Sequence, residues 1–181
     1  AWVGLSIGGM ISMRAALAAP DRVGAMALLN SDAGAETWQV KAKHGLLKGI
    51  AGRVGLRPVM SRILRLMFGR TALKTQPDLI SEWRSRFERV DLPSTFAVLD
   101  GLDGRDSILE QLSDIAVPTL VLAGAEDMAL PPQRAEAIHQ NLPGATFHSL
   151  PRVGHLSALE APEAVTRHLL AFLEDAWPVV P

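Results

Sequence analysis

Apolar residues gather along this chain in two kinds of pattern. Val23 to Leu29, VGAMALL, and Pro118 to Ala123, PTLVLA, are short, almost wholly apolar runs closed off by turn residues. Such runs predict strands buried on both faces of a parallel sheet. The opening AWVGL reads as the end of another strand, and ATFHSL at Ala145 to Leu150 as a more mixed one. Elsewhere apolar positions recur at helical spacing: Ile7 to Ala19, rich in small residues that suit close packing on a sheet, Pro131 to Asn141, and Pro162 to Asp175. In the last of these, Val165, Leu169, Phe172 and Leu173 share one face, and Pro162 falls in a first turn, where its missing N–H is tolerated. Strands alternating with helices predict an α/β layer architecture with a mostly parallel sheet and flanking helices.

One segment breaks the alternation. From Ala33 to Arg105 no strand pattern appears, only amphipathic or basic helical stretches such as Pro58 to Phe68, Pro77 to Val90 and Pro93 to Leu102. This predicts a helical insertion at 33–105 between two parts of one core, 1–32 and 106–181.

Composition narrows the function classes. A net charge of −1 over 181 residues argues against a dedicated nucleic-acid binder, and no apolar run is long enough to span a membrane. The absence of cysteine excludes disulfides, a thiol nucleophile and thiolate-bound metal, and fits a reducing compartment, with the cytoplasm as the expectation. No metal or nucleotide motif occurs, so no cofactor is expected. Oligomeric state leaves no trace in the sequence.

The chemistry starts at Gly4-x-Ser6-x-Gly8, set between a strand end and a helix start. A serine hydroxyl is a weak nucleophile at neutral pH and needs a base, a group that orients the base, and donors for the oxyanion. A sharp strand-to-helix turn presents the serine, and the amide of Ile7 at the helix start faces the developing charge. Asp127 in LVLAGAEDMALPP and His155 in HSLPRVGHLSALEAPEAV each lie just past a predicted strand. Groups at the carboxyl ends of parallel strands converge on one rim. Blander readings stand beside these: a turn serine, a capping aspartate, a loop histidine. Asp32, in LLNSDAG after the preceding strand, competes for the acid role.

GLSIGGM, PTLVLAGAEDMALPP and GHLSALEAPEAV together resemble the α/β-hydrolase superfamily, in the branch of the 3-oxoadipate enol-lactonases and related small-molecule esterases. The resemblance covers nearly the whole chain and implies an α/β-hydrolase fold with the insertion as its variable cap. It implies Ser6 as nucleophile, His155 as general base and then acid, Asp127 as the residue orienting it, and the Ile7 amide as one oxyanion donor. The implied activity is hydrolysis of a small ester or lactone, with C–C bond hydrolysis, acyl transfer or a non-catalytic relic as alternatives. Family members carry several strands ahead of the elbow, including the loop with a second oxyanion donor, and these lie outside the present sequence.

One charge feature remains. Between Thr37 and Pro77 there is no acidic residue but nine basic ones, half the Lys and Arg of the chain. A solvated helix face is the bland explanation. The sharper one is a field that draws an anionic substrate, with Arg62 and Arg65 foremost among its members. Trp38 is named with them as a substrate contact, although it and Met60, Met67, Phe68, Trp83 and Phe96 also suit a cap core.

Overall fold

A computed structural model describes residues 1–177. Four parallel strands, β1 (Trp2–Leu5), β2 (Met26–Leu29), β3 (Thr119–Gly124) and β4 (Thr146–Leu150), lie side by side in chain order. Leu5 pairs with Leu29, Leu29 with Leu122, and Gly124 with Leu150, so the carboxyl ends form one rim.

Helices cover both faces, which is why β2 and β3 are apolar at consecutive positions. Met26, Leu28, Val121 and Ala123 point to one side, where they meet Met13 and Ala16 of α1 (Ile7–Ala18) and Ile138 of α7 (Pro132–Asn141). Ala27, Leu29, Leu120 and Leu122 point to the other, against Val165, Leu169 and Phe172 of α9 (Pro162–Ala176), which follows the short α8 (Ser157–Glu160). The second strand starts at Met26 instead of Val23: a tight turn over Pro20–Arg22 ends at Val23, and Gly24 bends the chain.

Between β2 and β3 the chain forms α2 (Trp38–Val54), α3 (Met60–Met67), α4 (Arg70–Thr75), α5 (Pro77–Phe87) and α6 (Leu92–Gly104). Met60, Leu64 and Phe68 centre a small core of their own, joined by Trp83, Phe87 and Leu156. Helix α2 carries little apolar periodicity. Its start is fixed by Thr37, whose side chain accepts from the Val40 amide, and its end by Gly55 in the left-handed region. Trp38 lies at its exposed beginning, 74% accessible, and belongs to no core.

The roots of this insertion are clamped by charge. Arg105 donates to Asp32 at 2.6 Å and Glu36 at 2.9 Å, and also to the carbonyls of Gly34 and Leu102. Arg134 of α7 reaches the same two carboxylates. Burial works against ionisation of Glu36, yet the two guanidiniums hold its carboxyl below the ordinary range.

Candidate active site

Ser6 stands between β1 and α1 with φ 54 and ψ −116, a strained backbone that raises its side chain above the rim. The glycines around it explain how the turn closes. A Cβ on Gly4 would lie 2.3 Å from the carbonyl carbon of Gly8, and one on Gly9 would lie 2.5 Å from Ser31 Oγ. Gly8 itself faces open space, so close approach is demanded at Gly4 and Gly9, not at both glycines of the motif. Ser31 Oγ donates to the Ser6 carbonyl at 2.9 Å and ties the elbow to the end of β2. Ile7 is the first residue of α1, so its N–H belongs to the first-turn amides that have no partner within the helix.

His155 follows β4 and is buried. Its Nε2 lies 3.0 Å from Ser6 Oγ, and its Nδ1 lies 2.8 Å from Asp127 Oδ2. With the proton on Nδ1 the ring donates to Asp127 and accepts from Ser6, the tautomer the surrounding partners fit best. Asp127 is buried as well. Its Oδ1 accepts from the amides of Ala129 and Leu130, both at 2.9 Å, and its Oδ2 accepts from Asn30 Nδ2 at 2.9 Å. Two backbone amides and one buried side-chain amide thus supply the N–H groups that steady the carboxylate.

Asp32, the rival acid, is committed to Arg105 and Arg134. Asn30 carries no signal of its role in the sequence. It ends β2 in the left-handed region, which asparagine tolerates, and its amide also donates to the carbonyl of Gly154 at 3.1 Å.

The alpha/beta hydrolase fold family model matches residues 1–162. The chain belongs to this family. A pimeloyl-[acyl-carrier protein] methyl ester esterase of Pectobacterium carotovorum is 28% identical over 96% of this chain and 69% of its own length. Among solved structures, a thermophilic esterase from Thermogutta terrifontis superposes with a TM-score of 0.87 at 25% identity, covering 96% of this chain and 64% of that one. The enol-lactonase from Burkholderia xenovorans LB400 gives 0.83 at 25%, over 94% and 64%. The chain thus spans about two thirds of the length of the α/β-hydrolases it matches.

Between the helical insertion and the loop of Asp127 lies a cleft of about 530 Å³, lined by Arg62, Arg65, Phe68, Arg70, Glu126 and Met128 among others. Arg62 and Arg65 lie on the exposed side of α3, because Met60, Ile63, Leu64 and Met67 turn the opposite side inward. Ser6 does not line this cleft, although Glu126 and Met128 flank Asp127. Trp38 lines neither this cleft nor the groove between α1 and α6, so the structure does not bring it to Ser6. Among the described residues no three His, Asp or Glu side chains gather as metal ligands, and no helix is long and apolar enough to cross a membrane.

Proposed function

We propose that the protein is a serine hydrolase that cleaves a small carboxylic ester or lactone through an acyl-enzyme. The observation that carries this reading is the unbroken chain from Ser6 Oγ through His155 to an Asp127 carboxylate fixed by three donors. As Ser6 attacks the carbonyl carbon, Nε2 of His155 takes the hydroxyl proton, and Asp127 steadies the imidazolium that forms. Negative charge moves onto the carbonyl oxygen, where the Ile7 amide donates to it. Collapse of the tetrahedral species breaks the ester C–O bond, and the proton passes from His155 to the departing alkoxide. Water activated by the same imidazole then hydrolyses the acyl-serine and restores Ser6. No cofactor or metal enters these steps.

For the substrate we propose an ester or lactone that carries an anionic group, with Arg62 and Arg65 drawing it towards the cleft beside Asp127. Both arginines line that cleft together with the apolar Leu66, Phe68 and Leu73. The similarity to an esterase and an enol-lactonase supports an ester or lactone, and the basic lining is what supports the anionic group.

The deciding experiment is covalent labelling of the intact protein by a fluorophosphonate, which reports an activated serine rather than an exposed one. One adduct at Ser6 is expected, and labelling that survives Ser6→Ala unchanged would end the assignment.

A further inference from the structure

The cap and the loop that carries His155 meet backbone to backbone. A Cβ on Gly154 would lie 2.0 Å from the Gly69 nitrogen, and one on Gly69 would lie 2.9 Å from the Gly154 nitrogen. Only glycine at both positions permits this approach. The two amides then share one acceptor: Glu160 Oε2 takes the N–H of Gly154 at 2.8 Å and that of Gly69 at 3.0 Å. On the other side of His155, the Leu156 amide donates to the Met67 carbonyl at 3.1 Å. His155 is therefore flanked on both sides by hydrogen bonds that involve the cap segment 67–69.

Glu160 is a buried carboxylate held by little else. Its Oε1 has no partner among the described residues, and the group lies close enough to Asp127 to feel its charge. Burial pushes its carboxyl up, with Asp127 adding to the effect while backbone donors pull the other way. A carboxylate so placed costs stability. What it secures is Gly154, the residue ahead of His155, whose carbonyl accepts from Asn30 and whose N–H donates to Glu160.

We propose that Glu160 is a positioning residue for His155. By bridging Gly69 and Gly154 with one oxygen, it fixes the base to the cap, so that Nε2 meets Ser6 Oγ only while segment 67–69 is seated. The inference rests on the reading of His155 as general base. A neighbouring carboxylate reinforces the seat from the acid loop: Glu126 accepts from the Thr71 amide at 2.7 Å, and from the Thr71 hydroxyl and Arg70 Nε at 2.9 Å each. Cap displacement and misalignment of the base are thereby one event, and the cleft lined by Arg70 and Glu126 lies at that joint.

The test uses the intact protein with Glu160→Ala and Glu160→Gln, the latter retaining an acceptor oxygen. Three quantities are read: kcat and KM for one ester, the melting temperature, and the low-field NMR signal of the His155 Nδ1 proton shared with Asp127. In Glu160→Ala, kcat should fall about tenfold or more with KM little changed, since small misplacements of a catalytic group are costly. The low-field signal should weaken or move. Glu160→Gln should restore most of both. A folded Glu160→Ala with parental kcat and an unshifted signal overturns the proposal, as does a Glu160→Gln as impaired as the alanine variant. If Glu160→Ala does not fold, hydrogen exchange in the parent decides: the Gly69 and Gly154 amides should be protected together, and rapid exchange at either overturns the bridge. The NMR signal and the exchange rates do not depend on turnover. Failure of Ser6 labelling and failure of the Glu160 bridge are therefore separately visible.

Discussion

The side-chain amide of Asn30 joins the loops of Asp127 and His155, donating at 2.9 Å to Asp127 Oδ2 and at 3.1 Å to the carbonyl of Gly154, the residue before His155. Both protons of one NH₂ group are spent on setting Asp127 against the His155 loop. Replacing Asn30 by Asp turns that donor into a second carboxylate beside Asp127. The expected outcome is a fall in kcat together with a changed acid limb of the kcat/KM profile, because neighbouring carboxylates resist joint ionisation. An Asn30→Asp variant with parental rate and profile would show that Asp127 and His155 hold their alignment without it.

The two aspartates that follow strands should separate cleanly under mutation. Asp127→Asn removes the carboxylate that orients the His155 ring, and kcat should drop by about 10⁴ with the fold intact. Asp32→Asn should leave kcat near the parent and lower stability by about 2 kcal/mol, because Arg105 and Arg134 lose one of their two carboxylates. Chemical denaturation alongside steady-state kinetics reads both. The opposite ranking would move the acid to Asp32.

The two glutamates beside the cap joint should act on stability in opposite directions as pH changes. Burial disfavours ionised Glu126, but the Thr71 amide, the Arg70 guanidinium and the Thr71 hydroxyl outweigh it and hold its carboxyl below 4.5. Its contribution is present above that pH and is lost as pH falls through the lowered value. Glu160, raised above 4.5 chiefly by burial, binds its proton more tightly in the folded state, so stability falls as pH climbs from 4.5 through the raised value. Glu160→Gln should therefore flatten the decline on the high side of 4.5, and Glu126→Gln should destabilise most above 4.5, with the effect fading as pH falls through the lowered value. Urea midpoints across pH 3.5 to 7, a span of about the carboxyl range, would show whether the two slopes have these signs.

If Arg62 and Arg65 draw in an anionic substrate, salt should discriminate between esters. At about 0.1 M the screening length is about 10 Å, and kcat/KM for a carboxylate-bearing ester should decline beyond that ionic strength. A neutral ester of equal size should be indifferent. Arg62→Ala and Arg65→Ala should lower the first and spare the second, whereas Arg70 is already engaged by Glu126. Equal salt responses for the two esters would reduce the basic stretch to a solvated surface.

Ser6, Asp127 and His155 are legible in the chain because each sits just past an apolar run, where a parallel sheet delivers its residues to one rim. Asp32 has the same local signature, and only the third dimension sends it to Arg105 and Arg134 instead. Asn30 and Glu160 escape sequence reasoning for another reason. Their roles are defined by contacts 97 and 124 residues away for Asn30, and by Gly69, 91 residues away, for Glu160. Locally, Asn30 looks like a turn residue and Glu160 like part of a helix. Trp38 illustrates the converse: a large aromatic beside a predicted cap suggests a lining or a core, but the cap on Thr37 starts α2 on the outside, and the ring points to water.

The four-charge clamp at the roots of the insertion has a consequence for engineering. Glu36 and Arg105 mark the way out of the core and the way back, and they bond to each other as well as to Asp32 and Arg134, which stay behind. A cassette cut outside Glu36 and Arg105 would bring half of its own docking bolt with it. Foreign helical modules spliced between that pair should seat on the same two sockets, so that the helical layer can be exchanged while the sheet and its rim are left untouched.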